Sequence, residues 1–254
     1  MHYKKNLGQH FLTDQNTVDK LVRYINPSQN DEIIEIGPGE GVMTKSIINK
    51  VKKMILIEKD IDLIENLKNN FSEDYNSTII NIDFLKYNLD GLNKPMRIIG
   101  NLPYNISTEI IFKMCNCNKV IDMHFMLQKE VVDRIIAESN SKIYGRLSIM
   151  AQAYFNVKKL FDISENVFSP RPKVKSSFVR FSTRQYPFHD KAHENIFYHI
   201  VKSAFEGRRK MIKTSLRSFL NANDFCAMNL KPDLRAENLT VNDYIFISDY
   251  VQKI

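Results

Sequence analysis

From residue 31 onward the chain alternates short apolar runs with longer segments of helical spacing. The runs are DEIIEIG (31–37), KKMILIE (52–58), STIINID (77–83), MRIIGN (96–101) and MHFMLQ (123–128). Between and after them the spacing predicts helices at about 41–50 and 60–70, from about 107, and from Lys129 to about Asn140. Strands separated by amphipathic helices require crossover connections, and so a mostly parallel sheet covered on both faces. The expectation is an α/β, doubly wound domain.

After YGRLSIMAQAYF the period changes. NVKKLFDI (156–163) and KSSFVRFS (175–182) read as two strands joined by a turn-rich connection containing SPRP, compatible with an antiparallel hairpin at the sheet edge. Beyond about residue 184 strand character fades. AHENIFYHIVKSAF and RRKMIKTSLRSFL have helical spacing, and a last helix begins at Thr240 with Asp243 near its first turn. The chain is therefore divided into residues 1–184, the doubly wound domain, and 185–254, a small C-terminal helical domain.

Composition narrows the class. With 43% apolar residues in 254, one full core and a smaller appendage can be buried. No apolar run reaches the roughly 20 residues of a membrane span, and MHYKKNLGQHFL lacks the apolar core of a signal peptide; the expectation is a cytoplasmic protein with no membrane partner. Cys115, Cys117 and Cys226 are odd in number, with no His near the first two, so neither a disulfide framework nor a metal site is expected. The net charge of +7 is concentrated: residues 171–217 hold twelve Lys and Arg against three acidic residues. A polyanion partner is consistent with that excess.

In an open α/β sheet, ligands bind where loops leave the carboxyl ends of the strands. Four such ends carry suitable residues. The first is followed by Gly37-Pro38-Gly39-Glu40-Gly41, whose glycines, Gly37 and Gly39 among them, let backbone approach a ligand. The second ends in Glu58, suited to both hydroxyls of a ribose; the third in Asp83, suited to an adenine amino group; the fourth in Asn101. Each alone has an ordinary explanation as a turn or a helix cap. Together, in order, they describe a nucleoside lying across the sheet. The spacing G-x-G-x-G, rather than G-x-G-x-x-G over a pyrophosphate, favours S-adenosylmethionine over a dinucleotide.

The fourth end continues as Asn101-Leu102-Pro103-Tyr104. Pro103 keeps Leu102 out of the helical region, which sets two acceptors, the Asn101 amide oxygen and the Leu102 carbonyl, side by side. An exocyclic amine such as N6 of adenine is a poor nucleophile because its lone pair is delocalised into the ring. Two acceptors hold its hydrogens, turn the lone pair toward a methyl sulfonium and stabilise the charge growing on nitrogen. Tyr104 offers a flat face for a base taken out of its helix. NLPY thus reads as the amine-binding motif of an adenine-N6 methyltransferase.

With these motifs the chain resembles the 16S ribosomal RNA adenine dimethyltransferases. LGQHFL (7–12), EIGPGEGVMT (35–44), NLPYNIST (101–108), LQKEVVDRI (127–135), YGRLS (144–148), FSPRPKVKSS (168–177) and FEGRRKMIKTSL (205–216) are similar to that family's blocks. The resemblance implies a class I, Rossmann-like methyltransferase, with the cofactor site on His10, Leu12, Gly37, Glu58, Asp83 and Asn101. It implies target-base contacts at Asn101, Leu102 and Tyr104, a second stacking aromatic at Phe168, and RNA contacts at Arg208, Arg209 and Lys210 together with the basic stretch upstream. The implied reaction puts four methyl groups on two adjacent adenosines near the 3′ end of small-subunit ribosomal RNA, in the 30S or pre-30S particle, late in assembly; a monomer is the default state.

Two positions depart from the family's pattern. His10 stands where Asn is usual, and Gly207 where Gln is usual before the Arg-Arg pair. Related readings are the antibiotic-resistance methyltransferases of 23S ribosomal RNA, which share N-[IL]-P-[YF], and a non-catalytic RNA-binding assembly factor that kept the fold. A dinucleotide oxidoreductase is a weaker one.

Overall fold

The computed structural model describes residues 9–71, 76–115, 117, 119–207 and 209–254. In chain order the elements are β1 (Phe11–Leu12), α1 (Gln15–Ile25), β2 (Glu32–Ile36), α2 (Val42–Ile47), β3 (Lys53–Glu58), α3 (Ile61–Phe71), β4 (Ser77–Asn81), β5 (Met96–Asn101), α4 (Ser107–Cys115), β6 (Val120–Gln128), α5 (Lys129–Ile135), α6 (Arg146–Tyr154), β7 (Phe155–Ile163), β8 (Phe168–Ser169), β9 (Ser176–Thr183), α7 (Lys191–Glu206), α8 (Ile212–Ser215), α9 (Ala222–Ala227) and α10 (Val241–Lys253).

The apolar runs form a seven-stranded sheet in the order β4-β3-β2-β5-β6-β9-β7. From β4 to β6 neighbouring strands are parallel, and β9 runs antiparallel to β6. The central strands read as continuous apolar runs because both faces are covered: Ile33, Ile34, Met54, Leu56, Ile98 and Ile99 are completely buried. Each such side chain contributes about 1.5–3 kcal/mol relative to an exposed one. The expected doubly wound fold is what the chain adopts.

Several details differ. The two strands after residue 155 do pair with each other at the sheet edge, but the later one is the inner: β9 lies between β6 and β7. Their connection contains β8, which pairs antiparallel with β1 in a separate two-stranded sheet. β1 and α1 themselves lie where no element is expected. Asp14 starts α1 by accepting from the Thr17 N–H and hydroxyl, and Val18, Leu21, Val22 and Ile25 form its buried stripe. Buried Arg97 on β5 ties the end of α1 in place, donating to the Ile25 and Asn26 carbonyls and pairing with Asp31 and Asp122.

The chain divides into two compact units, residues 1–132 with 158–183 and residues 133–157 with 184–254. The second therefore takes in more than the C-terminal segment expected from the sequence. Within it α5 stops at Ile135 rather than near Asn140, because side chains of α6 take its terminal carbonyls: Ser148 donates to Arg134 O, and Gln152 to Ile135 O and Ala137 O. The helix expected over 208–220 shrinks to the single turn α8. Ile212 and Lys213 give their N–H groups to Leu234 O and Pro232 O, and Met211 bridges to Arg235, so the backbone there pairs sideways instead of coiling. α10 begins as expected, with Thr240 and Asp243 in a reciprocal capping box. Among the described residues no helix is long and apolar enough to cross a membrane.

Candidate active site

Parallel strands put their carboxyl ends on one edge, and the register aligns those ends. Ile36 stands opposite Ile57 and Gly100, and Glu58 opposite Asn81. Above this edge, within the first unit, lies an open cleft. His10, Leu12, Gly37, Gly39, Glu58, Asn101, Leu102 and Tyr104, all expected at the site, line it.

The glycine loop follows β2 immediately. Gly39 has φ of +60°, and a Cβ there would lie 3.0 Å from the Phe11 ring. Glycine is therefore required twice at this position, by conformation and by the closeness of β1. Its N–H donates to Glu58 Oε2 at 3.2 Å, while Asp60 N–H donates to Oε1 at 2.8 Å. Both oxygens of this buried carboxylate are thus oriented by backbone. Burial raises the Glu58 pKa, against the Asp60 and Gly39 N–H groups that favour the charged form.

Glu35 was not expected as a site residue. It lies one residue before the end of β2, lines the cleft, is buried, and accepts from the Thr44 hydroxyl at 2.6 Å. Burial pushes its carboxyl up to about 7, with Glu58 adding to the effect. The signal was an acidic residue inside an otherwise apolar strand, a placement whose desolvation cost asks for a reason.

Asp83 follows β4 but does not line the cleft. One carboxylate oxygen caps the following turn at Leu85 N–H (3.0 Å) and the other pairs with Lys59 Nζ (2.8 Å). Partial burial raises its pKa, but Lys59 and the Leu85 N–H outweigh that and hold it below the ordinary value.

Asn101 ends β5. Its Nδ2 donates to the His10 carbonyl at 2.7 Å. A carbonyl only accepts, so the amide must present its NH₂ group there, which fixes its orientation and leaves Oδ1 to accept from a substrate. Leu102 spends its N–H on Met126 O, and its side chain is buried under the loop. The Tyr104 ring lies 5.5 Å from that of His10, centroid to centroid, and its hydroxyl shares a 2.7 Å hydrogen bond with Ser176 Oγ. Burial raises the phenol pKa, partly countered by Ser176, so Tyr104 stays protonated at neutral pH. His10 donates through Nδ1 to Pro170 O at 2.7 Å, leaving Nε2 as the nitrogen for a ligand.

The structure does not bring Phe168 to the cleft. It is buried in the main core cluster, opposite Leu12 across the β1–β8 pair. Arg209 and Lys210 are exposed in the turn after α7, in the second unit, and Arg208 lies outside the described residues.

A positive-φ glycine loop, two buried carboxylates and a fixed amide suit a cationic, hydroxyl-bearing nucleoside cofactor such as S-adenosylmethionine. A family model described as ribosomal RNA adenine dimethylase matches residues 1–253. A ribosomal RNA small subunit methyltransferase A from Wigglesworthia glossinidia brevipalpis is 43% identical, over 96% of each chain. Its namesake from Nitrosospira multiformis is 37% identical, over 99% of this chain and 97% of its own. The crystal structure of a dimethyladenosine transferase from Plasmodium falciparum shares the fold, with a TM-score of 0.82 over 96% of this chain and 98% of that one at 22% identity.

Proposed function

The chain belongs to the ribosomal RNA adenine dimethylase family, and from that premise we propose that it dimethylates N6 of two adjacent adenosines in the 3′-terminal hairpin loop of small-subunit ribosomal RNA, within the 30S or pre-30S particle. The observation that carries this reading is the Asn101 amide, locked by the His10 carbonyl beside Leu102 and the Tyr104 ring. S-adenosylmethionine, when bound, supplies a methyl group made electrophilic by its sulfonium.

The residues of the chain do the rest. Glu58 accepts the ribose hydroxyls, Gly37 and Gly39 admit the cofactor close to backbone, and Leu12 and the His10 imidazole close the wall over it. Asp83, tied to Lys59 in this state, reaches the adenine amino group only if that ion pair opens. At the other end Tyr104 stacks on the extruded base. Asn101 Oδ1 and the Leu102 carbonyl accept the N6 hydrogens and stabilise the positive charge developing on nitrogen. Orientation and electrostatics suffice there because a methyl sulfonium is already a good electrophile, so Asn101, Leu102, Pro103 and Tyr104 need supply no ionised base, and the proton that N6 sheds after each transfer passes to water. In this reading Arg209 and Lys210, with Arg208, contact RNA phosphates, the protein works in the cytoplasm, and it acts as a monomer.

The test is transfer of labelled methyl groups from S-adenosylmethionine to 30S particles prepared without this modification, followed by mapping of the modified bases. Dimethyladenosine at two adjacent positions near the 3′ end is the expected result. Label on 50S particles alone would move the substrate to 23S ribosomal RNA, and no label on either would leave a binding factor.

A further inference from the structure

The chain passes the rim of the cleft in a second segment, the start of the basic stretch, whose residues have so far been given no individual role. Residues 170–176 run from β8 to β9, and both ends are pinned to cleft-lining side chains. Pro170 O accepts from His10 Nδ1 and Ser176 Oγ bonds the Tyr104 hydroxyl, each at 2.7 Å. Just inside the second pin, Lys175 O accepts from the Lys129 N–H at 2.9 Å. Between the pins Pro172 turns inward and is buried, while Arg171, Lys173, Val174 and Lys175 are exposed.

Three cations thus stand on a short segment held at both ends by the walls that would flank a substrate base. Glu165 answers two of them, pairing with Arg171 at 2.7 Å and feeling the charge of Lys175. Lys173 has no ion-pair partner among the described residues. The segment with Glu165 therefore carries a net charge of +2.

We propose that this segment is a phosphate clamp, in which Lys173 and Lys175 hold the backbone phosphates on either side of the adenosine whose base enters beside Tyr104. The inference rests on the reading of the substrate as RNA. A base drawn out of its stack stays attached to a sugar with a phosphate on each side, so seating it against Tyr104 necessarily brings those phosphates to the rim. Cations fixed there through Ser176 and Pro170 keep the backbone in register with the stacking ring. Lysine suits the task because an ammonium meets a phosphate as a point charge, without the planar match that arginine needs. Phosphate contacts position the strand without reading its sequence. The clamp therefore acts on how firmly the substrate is held, not on the methyl transfer itself.

The experiment compares wild type with the double variant Lys173→Gln, Lys175→Gln, and with Glu165→Gln, for methyl transfer to unmodified 30S particles over a range of potassium chloride concentrations. Thermal melts and S-adenosylmethionine binding without RNA check that each variant is folded with an intact cofactor site. The double variant should raise KM by about tenfold at low salt and leave kcat within roughly twofold. The slope of log KM against log salt should fall by about 1.4, two contacts at about 0.7 each for single strands. Glu165→Gln, which removes the competing anion, should lower KM. A double variant with the KM and salt slope of an active wild type, or one whose loss falls on kcat alone, overturns the clamp and leaves the proposed reaction standing. An inactive wild type would instead overturn the reading of function on which the clamp rests.

Discussion

The two ends of the cleft follow opposite electrostatic rules. At the glycine-loop end two carboxylates, Glu35 and Glu58, are buried at 1% and 6% exposure, both with raised pKa. At the Asn101 end the lining residues Asn101, Leu102, Pro103, Tyr104 and Met126 carry no charge, and the polar groups are held by single hydrogen bonds to His10 O and Ser176 Oγ. Buried carboxylates are costly; the Gly39 and Asp60 N–H groups offset part of that for Glu58 and the Thr44 hydroxyl part of it for Glu35, and in the proposed function a cationic cofactor offsets more. A neutral acceptor set attracts an amine without taking its proton. Under the proposed function the difference separates binding from chemistry: charge holds the cofactor, and oriented dipoles act on the amine.

The sharpest break of that division is Asn101→Ala. It removes the fixed acceptor at the neutral end and leaves the carboxylates untouched. Methyl transfer should fall by about 10²–10³-fold, the usual effect of losing one preorganised polar group, with RNA binding close to wild type. Single-turnover methylation together with equilibrium binding checks this; wild-type turnover in the variant would sink the mechanism.

The charged end is probed by Glu35→Gln. Its folded-state pKa of about 7 lies above the 4.5 of an ordinary glutamate, so the folded chain holds a proton that the unfolded chain has released. The stability this confers is complete below about pH 4.5 and is lost as pH rises through about 7, to an extent of at most about 3 kcal/mol. Glutamine keeps an acceptor for Thr44 and cannot ionise. Urea unfolding at pH 5 and pH 7.5 should show wild type losing stability between the two and Glu35→Gln losing much less; equal losses in both chains would mean that Glu35 is not the group responsible.

The same division marks what was legible in the sequence. The four strand ends could be read together because a parallel sheet necessarily collects them on one edge, and because Gly39 permits a tight turn and Pro103 imposes its own backbone wherever the chain goes. Glu35 could not be read that way. Its residue type is visible, but its burial and its Thr44 partner exist only once α2 packs against β2. Phe168 shows the same limit from the other side: an aromatic beside a proline-rich loop looks like a stacking plate until β8 pairs with β1 and turns it into the core. In the second unit, 208–220 has helical spacing, yet Ile212 and Lys213 find carbonyl partners on residues 232–234. Periodicity reports which face is apolar, not where the backbone hydrogen bonds go.

Asp83 tests the division where it is weakest, since this carboxylate belongs by position to the charged end but stands outside the cleft. Asp83→Asn keeps an acceptor for the Leu85 N–H and loses the ion pair with Lys59, whose side chain is 55% exposed. Solvent screening holds the cost in stability below about 1 kcal/mol. Because the folded-state pKa is depressed, that contribution is present above about pH 3.8 and vanishes as pH falls through the lower, folded-state value. Melts at pH 7 should therefore show a small deficit that closes on acidification. S-adenosylmethionine affinity should fall by no more than about tenfold, the lower end of the roughly 1.5–3 kcal/mol that a hydrogen bond to a charged group is worth, because the replacement amide still offers an acceptor. A loss of two orders of magnitude would mean that the Lys59 pair opens on binding and that Asp83 joins Glu35 and Glu58 in holding the cofactor; an unchanged affinity would confine the charged end to those two.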